Sequence, residues 1–256
     1  MKLGGFGFVK DYEAIQKAGF DYAELDMPEL EALNDKNFAA FRGRVEKAAF
    51  PIPIGARLLP IQEPLFFVPG FDEMTLEAYI RSSCKKCGML GVKTIMFGNG
   101  KARQLVDENS IKKESVFISF LRMMCDIAGE NGQEVLIEPL GLKYSNYINT
   151  LPEAARVIRA AKMPNLFAMA DLRHFVCSKE PFEDMVRYRD LVHHVHVDYP
   201  LSFPERKYPS TRDGYDYAPF FKQLKGYDGT LTIEADIPTD WSAAGADANA
   251  LLETYR

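Results

Sequence analysis

The chain has 256 residues, 47% of them hydrophobic and 26% charged, and a net charge of −5. That composition is ordinary for a globular protein able to bury a large core without covalent staples. The acidic balance argues against a general nucleic-acid or membrane-surface binder, since both need a basic face, but it leaves room for a small basic pocket facing an anionic substrate.

Along the chain, apolar strand-like runs alternate with helix-length segments. Leu3 to Phe8 precedes YEAIQKAG, and Asp21 to Met27 precedes a helix near Asp35 to Ala48. Ile52 to Leu59 leads through a Pro-rich loop to a helix of about Thr75 to Met89. Val92 to Gly98 precedes a helix near Lys113 to Asn131, and Glu134 to Leu140 precedes LPEAARVIRAA. Leu166 to Leu172 precedes a short segment around Phe182 to Tyr188. Leu191 to Tyr199 precedes a helix near Tyr217 to Leu224, and Thr230 to Asp236 precedes ADANALLETYR, ending at Arg256. Strands alternating with helices predict a parallel sheet, and the nearly continuous apolar character of several strands fits a sheet covered on both faces. The expected fold class is α/β: a TIM-type (β/α)8 barrel of parallel strands, one domain over residues 1–256, close to the usual length of about 250 residues. A doubly wound open sheet shares the same alternation. The loops after the third, fifth and seventh strands are the longest and are the expected builders of a site.

No apolar run reaches the roughly 18 residues of a transmembrane helix, and the N-terminus lacks a signal-peptide pattern. The four cysteines, Cys84, Cys87, Cys125 and Cys177, do not suggest a disulfide framework. A cytoplasmic location is the expectation.

In the second half, four successive strands each end in a potential metal ligand: Glu138, Asp171, His196 and Glu234, at intervals of 33, 25 and 38 residues, each about one β/α unit. In a barrel these side chains sit at one height and point at one volume. A carboxylate ending an apolar strand is costly unless it is solvated, paired or metal-bound. Any one of them alone reads more often as a helix cap or salt-bridge partner than as a ligand. Three converging carboxylates repel one another, and a divalent cation with one imidazole resolves that repulsion. Three oxygen ligands and an imidazole suit one divalent metal ion, Mn2+ or Mg2+ ahead of Co2+ or Zn2+.

The motifs IEPL at Glu138, DLRH from Asp171 to His174, HVH from His194 to His196 and IEA at Glu234, with FGNGKAR and SNYINTLPEA, resemble the xylose isomerase-like TIM barrels. This group includes D-tagatose and D-psicose 3-epimerases, hydroxypyruvate isomerase and inosose dehydratase. The resemblance implies that Glu138, Asp171, His196 and Glu234 are the metal ligands. It implies that Glu138 and Glu234 also exchange protons with the substrate. His174 would contact a substrate oxygen, and Arg206 would bind substrate oxygens or stabilise negative charge, with Arg212 as its alternative. The implied activity is isomerisation or epimerisation of a small sugar or hydroxy-keto compound through a metal-stabilised enediolate. An inosose dehydratase-like lyase and a non-catalytic sugar-binding barrel are the alternatives. The implied partner is a small sugar-like molecule, with neither nucleic acid nor membrane and with a homo-oligomer open. No histidine precedes His174, so neither the three-zinc cluster of endonuclease IV-type members nor the early catalytic histidine of true xylose isomerases can be assembled.

Other residues invite blander readings. Cys84 and Cys87 form C-x-x-C within a helical stretch, where core packing is favoured over a zinc or redox role. His194 faces the same way as His196 along its strand and reads as a hydrogen-bonded core histidine ahead of a partner to the ligands. Glu24 and Arg57 each read as substrate-facing or structural. Gly98 to Gly100 is a turn rather than a phosphate loop. Trp241 either walls the pocket or packs on the rim.

Overall fold

Eight parallel strands close into a barrel in the computed structural model, which describes residues 1–255. They run β1 (Lys2–Gly7), β2 (Tyr22–Asp26), β3 (Ile54–Ala56), β4 (Thr94–Phe97), β5 (Glu134–Ile137), β6 (Leu166–Asp171), β7 (Val192–Val197) and β8 (Thr230–Ile233). Each pairs with its sequence neighbour, and Lys2–Gly5 of β1 aligns with Thr230–Ile233 of β8 to seal the ring. The open-sheet alternative is thereby removed. The outer helices are α1 (Tyr12–Lys17), α2 (Met27–Ala32), α3 (Asp35–Ala48), α4 (Glu77–Met89), α5 (Glu114–Glu130), α6 (Leu151–Ala161), α7 (Leu172–Ser178), α8 (Asp184–Arg187), α9 (Ala218–Gln223) and α10 (Trp241–Tyr255).

Departures from the expected elements have local causes. Met27 and Leu172, expected on strands, open the short helices α2 and α7. The aspartate ending each strand caps the helix that follows: Asp26 accepts from Glu29 N at 3.0 Å, and Asp171 from Arg173 N at 2.7 Å. β3 is shorter than expected. Pro51 and Pro53 cannot donate to a ladder, and Arg57 at φ +55° turns the chain out of the strand. α8 is a single turn. α10 starts at Trp241 rather than Ala246 because Asp240 accepts from Ser242 N and Ala243 N at 2.9 and 3.1 Å. Arg256, the last residue of the expected helix, lies outside the described residues.

The main core fills the space between strands and helices, as apolar side chains leave water on both sheet faces. A second, small cluster of Ala56, Met96, Leu136 and Met169 lies apart from it. Tyr22, Glu24, His194, His196 and Thr232 form a buried polar group beside it, and buried polar groups of this kind persist only when paired.

Candidate functional site

Glu138 follows β5, Asp171 and His196 lie on β6 and β7, and Glu234 follows β8. One ligand atom from each of the four lies within 4.8 Å of the others. The parallel register produces this convergence: Asp171 is directly opposite His196, and each following strand brings its end to the same mouth. Gly98, at the end of β4, leaves the space for Glu138, because a Cβ there would land on the Glu138 carboxylate. Glu138 Oε1 is buried and has no hydrogen-bond partner among the described residues, which costs free energy unless something binds it.

His196 has two distinct sides. Its Nδ1 faces Glu234 Oε2 at 3.2 Å, while its Nε2 faces Glu24 Oε1 at 3.0 Å. Glu24 is fully buried and also meets His194 Nε2 at 3.1 Å, and His194 Nδ1 meets Thr230 Oγ1 at 2.7 Å. Burial by itself would raise the Glu24 pKa, but His196 and His194 pull it well below the carboxylate range. Burial would lower that of His196, but Glu24 and Glu234 hold it well above the usual imidazole value. His194 is shifted down, chiefly by burial. Glu24, one of the residues left open by sequence, is therefore the carboxylate that orients both histidines. His193 points the other way, stacked on Phe167 with ring centroids 3.8 Å apart.

Arg206 enters the cluster from the loop after β7. It donates from Nη2 to Asp171 Oδ2 at 2.6 Å, from Nε to Asp198 Oδ2 at 3.0 Å, and from Nη1 to Glu234. Asp236 fixes its backbone, accepting from Arg206 N at 2.9 Å and donating its own N–H to Arg206 O at 2.7 Å. Burial would push the Asp171 and Glu234 carboxyls up, but the adjoining cations hold both below the usual range. Arg212 is 80% exposed and pairs with Asp247, so the arginine at the site is Arg206. His174 is buried with its Nε2 3.5 Å from Glu138 Oε1 and 3.7 Å from Asp171 Oδ2; Tyr144 packs edge-on against it at 4.8 Å.

The charges decide what the cluster can hold. Glu138, Asp171 and Glu234 carry three negative charges, and Arg206 offsets one. Asp198 is matched by the buried Arg173, whose Nε donates to it at 2.6 Å. With Glu24 balancing His196, two negative charges remain around the four ligand atoms. Three oxygens, one imidazole nitrogen and that residual charge fit one divalent cation.

Sequence reasoning passed over Asp198 and Arg173. Asp198 had a signal, since 194, 196 and 198 alternate along one face. Arg173 had none beyond its place inside DLRH. Its Nη2 donates to Ser202 Oγ and to the carbonyls of Tyr199 and Glu205 at 2.7 to 3.0 Å, tying down the loop that carries Arg206. Cys84 and Cys87 are buried in α4, away from the mouth, and Trp241 packs on Phe20 and Tyr208 at the rim.

Residues 12–254 match the family described as Xylose isomerase-like TIM barrel. The chain belongs to that family. A Xenopus laevis protein described as a candidate hydroxypyruvate isomerase is 27% identical over 141 residues, 53% of this chain and 49% of that protein. The 3-dehydro-D-guloside 4-epimerase of Escherichia coli K12 is 28% identical over 138 residues, 52% of this chain and 51% of the enzyme. The matches thus span about half the length of these curated relatives. Among solved structures, a D-allulose 3-epimerase from Methylomonas sp. in complex with D-allulose superposes with a TM-score of 0.83 at 16% identity, covering 100% of this chain and 97% of the other. The IolI protein with a bound zinc atom gives 0.77 at 20%, covering 100% and 98%. At those identities the structures establish the shared fold alone. The four strand-end residues of this chain stand at the mouth of that barrel, where TIM-barrel sites are built.

Proposed function

We propose that this protein is a metal-dependent isomerase or epimerase of a small sugar or hydroxy-keto compound. One observation carries the reading: one ligand atom from each of Glu138, Asp171, His196 and Glu234 lies within 4.8 Å of the others, and the buried Glu138 Oε1 has no hydrogen-bond partner among the described residues. The relatives support the substrate class, being named for a hydroxypyruvate isomerase and a sugar 4-epimerase. The oxygen-rich set favours Mn2+ or Mg2+, and the zinc of the IolI neighbour keeps Zn2+ among the ions to test. A divalent ion held there would polarise the carbonyl of a chelated substrate and acidify the neighbouring C–H.

The remaining chemistry belongs to the side chains. Glu138 and Glu234 stand on opposite flanks of the ligand set, with β6 and β7 between their strands. In this mechanism one carboxylate takes a proton from the carbon beside the carbonyl, and the other returns a proton to the opposite face or to the adjacent carbon. Arg206 neutralises charge that builds on substrate oxygen, and its anchoring by Asp198 and Asp236 keeps it in place without reorganisation. His174 donates or accepts at a substrate hydroxyl, held by Tyr144.

The test pairs metal calorimetry with a substrate screen. Protein titrated with Mn2+, Mg2+, Co2+ and Zn2+ is expected to bind one ion per chain. The loaded protein, given ketoses, aldoses, inososes and hydroxypyruvate in D2O, is expected to place deuterium beside the carbonyl of at least one. Sub-stoichiometric binding of every ion, or no exchange with any compound, contradicts the proposal.

A further inference from the structure

The mouth of the barrel is electrostatically two-sided. The carboxylates of the ligand set come from β5 to β8, whereas the loops after β3, β4 and β5 bring Arg57, Lys101 and Lys143 to the same cleft of about 270 Å3. In a chain of net charge −5, three cations from three successive loops around one small cleft run against the overall balance. Their pairing differs from that of Arg206. The ion pairs of the mouth join Arg57 to Asp26, Arg173 to Asp198, and Arg206 to Asp171, Asp198 and Glu234. Lys101 and Lys143 have no carboxylate within 4.0 Å among the described residues. Lys143 Nζ instead sits 4.2 Å from the centroid of Phe203, a ring of the neighbouring depression that Lys143 and Tyr144 also line, so the ammonium stands at the border between that depression and the cleft.

Arg57 adds an independent observation. It adopts the left-handed conformation at φ +55°, which costs a non-glycine residue energy and recurs at ligand-binding positions. Its Nε and Nη2 lie 2.8 and 2.6 Å from the same Asp26 oxygen. Asp26 thus clamps a strained arginine at the cleft while Nη1 makes no hydrogen bond among the described residues.

We infer that the substrate carries an anionic group, a carboxylate or a phosphate, and that Lys101 and Lys143, with Arg57 beside them, bind it while its other end reaches the ligand set. The class is a small hydroxy-keto acid or a sugar phosphate. The inference rests on the reading of this cleft as a substrate site, but not on the metal.

Calorimetry on the metal-free full chain tests it with three probes sharing one carbon skeleton: glycerol 3-phosphate, glycerate and glycerol. At least one of the two anions is expected to bind saturably, and glycerol is not; whichever anion binds more tightly identifies phosphate or carboxylate as the source. In the K101M/K143M variant that Kd is expected to rise about tenfold or more, through loss of charge-assisted hydrogen bonds. A K85M/K225M variant, altered away from the cleft, is expected to match the parent, and added salt to weaken anion binding. Anions that bind no more tightly than glycerol, or equally well to K101M/K143M, overturn the inference. A parallel Mn2+ titration separates the two proposals. Anion binding without metal binding defeats the metal reading alone, and metal binding without anion binding defeats this one alone.

Discussion

Glu24 shows how one buried carboxylate can set the chemistry of a neighbour. Accepting from Nε2 of both His194 and His196, it fixes the His196 ring so that Nδ1 is the nitrogen turned toward Asp171 and Glu234, the one that would meet an ion once its proton is given up. Glu24→Gln preserves shape but puts an amide donor against those N–H groups. Mn2+ affinity measured by calorimetry is expected to fall about 10- to 100-fold, and an unchanged Kd would contradict the role. A second buried carboxylate predicts a pH dependence. Burial pushes the Glu180 carboxyl from 4.5 up to about 8, against the hydrogen bond from Leu151 N and with help from Asp184 and Glu153. Between those values the folded protein holds a proton that the unfolded chain lacks, so stability falls as pH rises from about 4.5 to about 8. Melting temperature across that range is expected to decline less in Glu180→Gln than in the parent; parallel curves would show that Glu180 is not the group responsible. At this scale legibility was uneven. The strand-end ligand candidates could be read because each closes an apolar run, one β/α unit after the last. Glu24 could not be resolved, because a carboxylate in YAELD serves a substrate or a histidine equally well until the partner strand is known. Arg206 and Arg212 share an irregular loop without periodicity, and only the bonds to Asp171 and Asp236 separate them.

Strand ends are where the elements become a site. The turn after β4 passes so close to β5 that Gly98 has no room for a side chain, and its neighbour is the Glu138 carboxylate rather than packing atoms. Gly98→Ala is therefore expected to displace Glu138 and lower Mn2+ affinity about tenfold or more, while the far-ultraviolet circular dichroism spectrum stays that of the parent. Retained affinity would mean that Glu138 does not need its present position. The longer elements were legible in the sequence: α3 and α6 match their expected spans, because a capping Asn34 or Thr150 opens each and a left-handed residue closes it. The short helices α2 and α7 were not, since an aspartate that ends a strand and caps a helix leaves no loop between them to signal the change.

For the whole molecule, the closed barrel converts strand order into a ring of converging charges, and two of them stay unbalanced by protein cations. A ligand that binds only the folded state stabilises it by mass action, by about 2.7 kcal/mol at a hundredfold excess over Kd. Saturating Mn2+ is accordingly expected to raise the melting temperature by several degrees, and EDTA to reverse the rise; identical melts with and without metal would argue against a folded-state site. The eight-unit alternation made the barrel legible from sequence, whereas the cation-lined half of its mouth was not, because Lys101 and Lys143 sit in loops whose spacing carries no period. The most direct test of the account is solvent hydrogen exchange catalysed by Glu138→Gln and Glu234→Gln, each first shown to retain its metal. With a substrate that the parent protein labels in D2O, both variants are expected to lose deuterium incorporation at the carbon beside the carbonyl by about a hundredfold or more. Exchange near the parent rate in both metal-loaded variants would contradict the proposed acid–base pair.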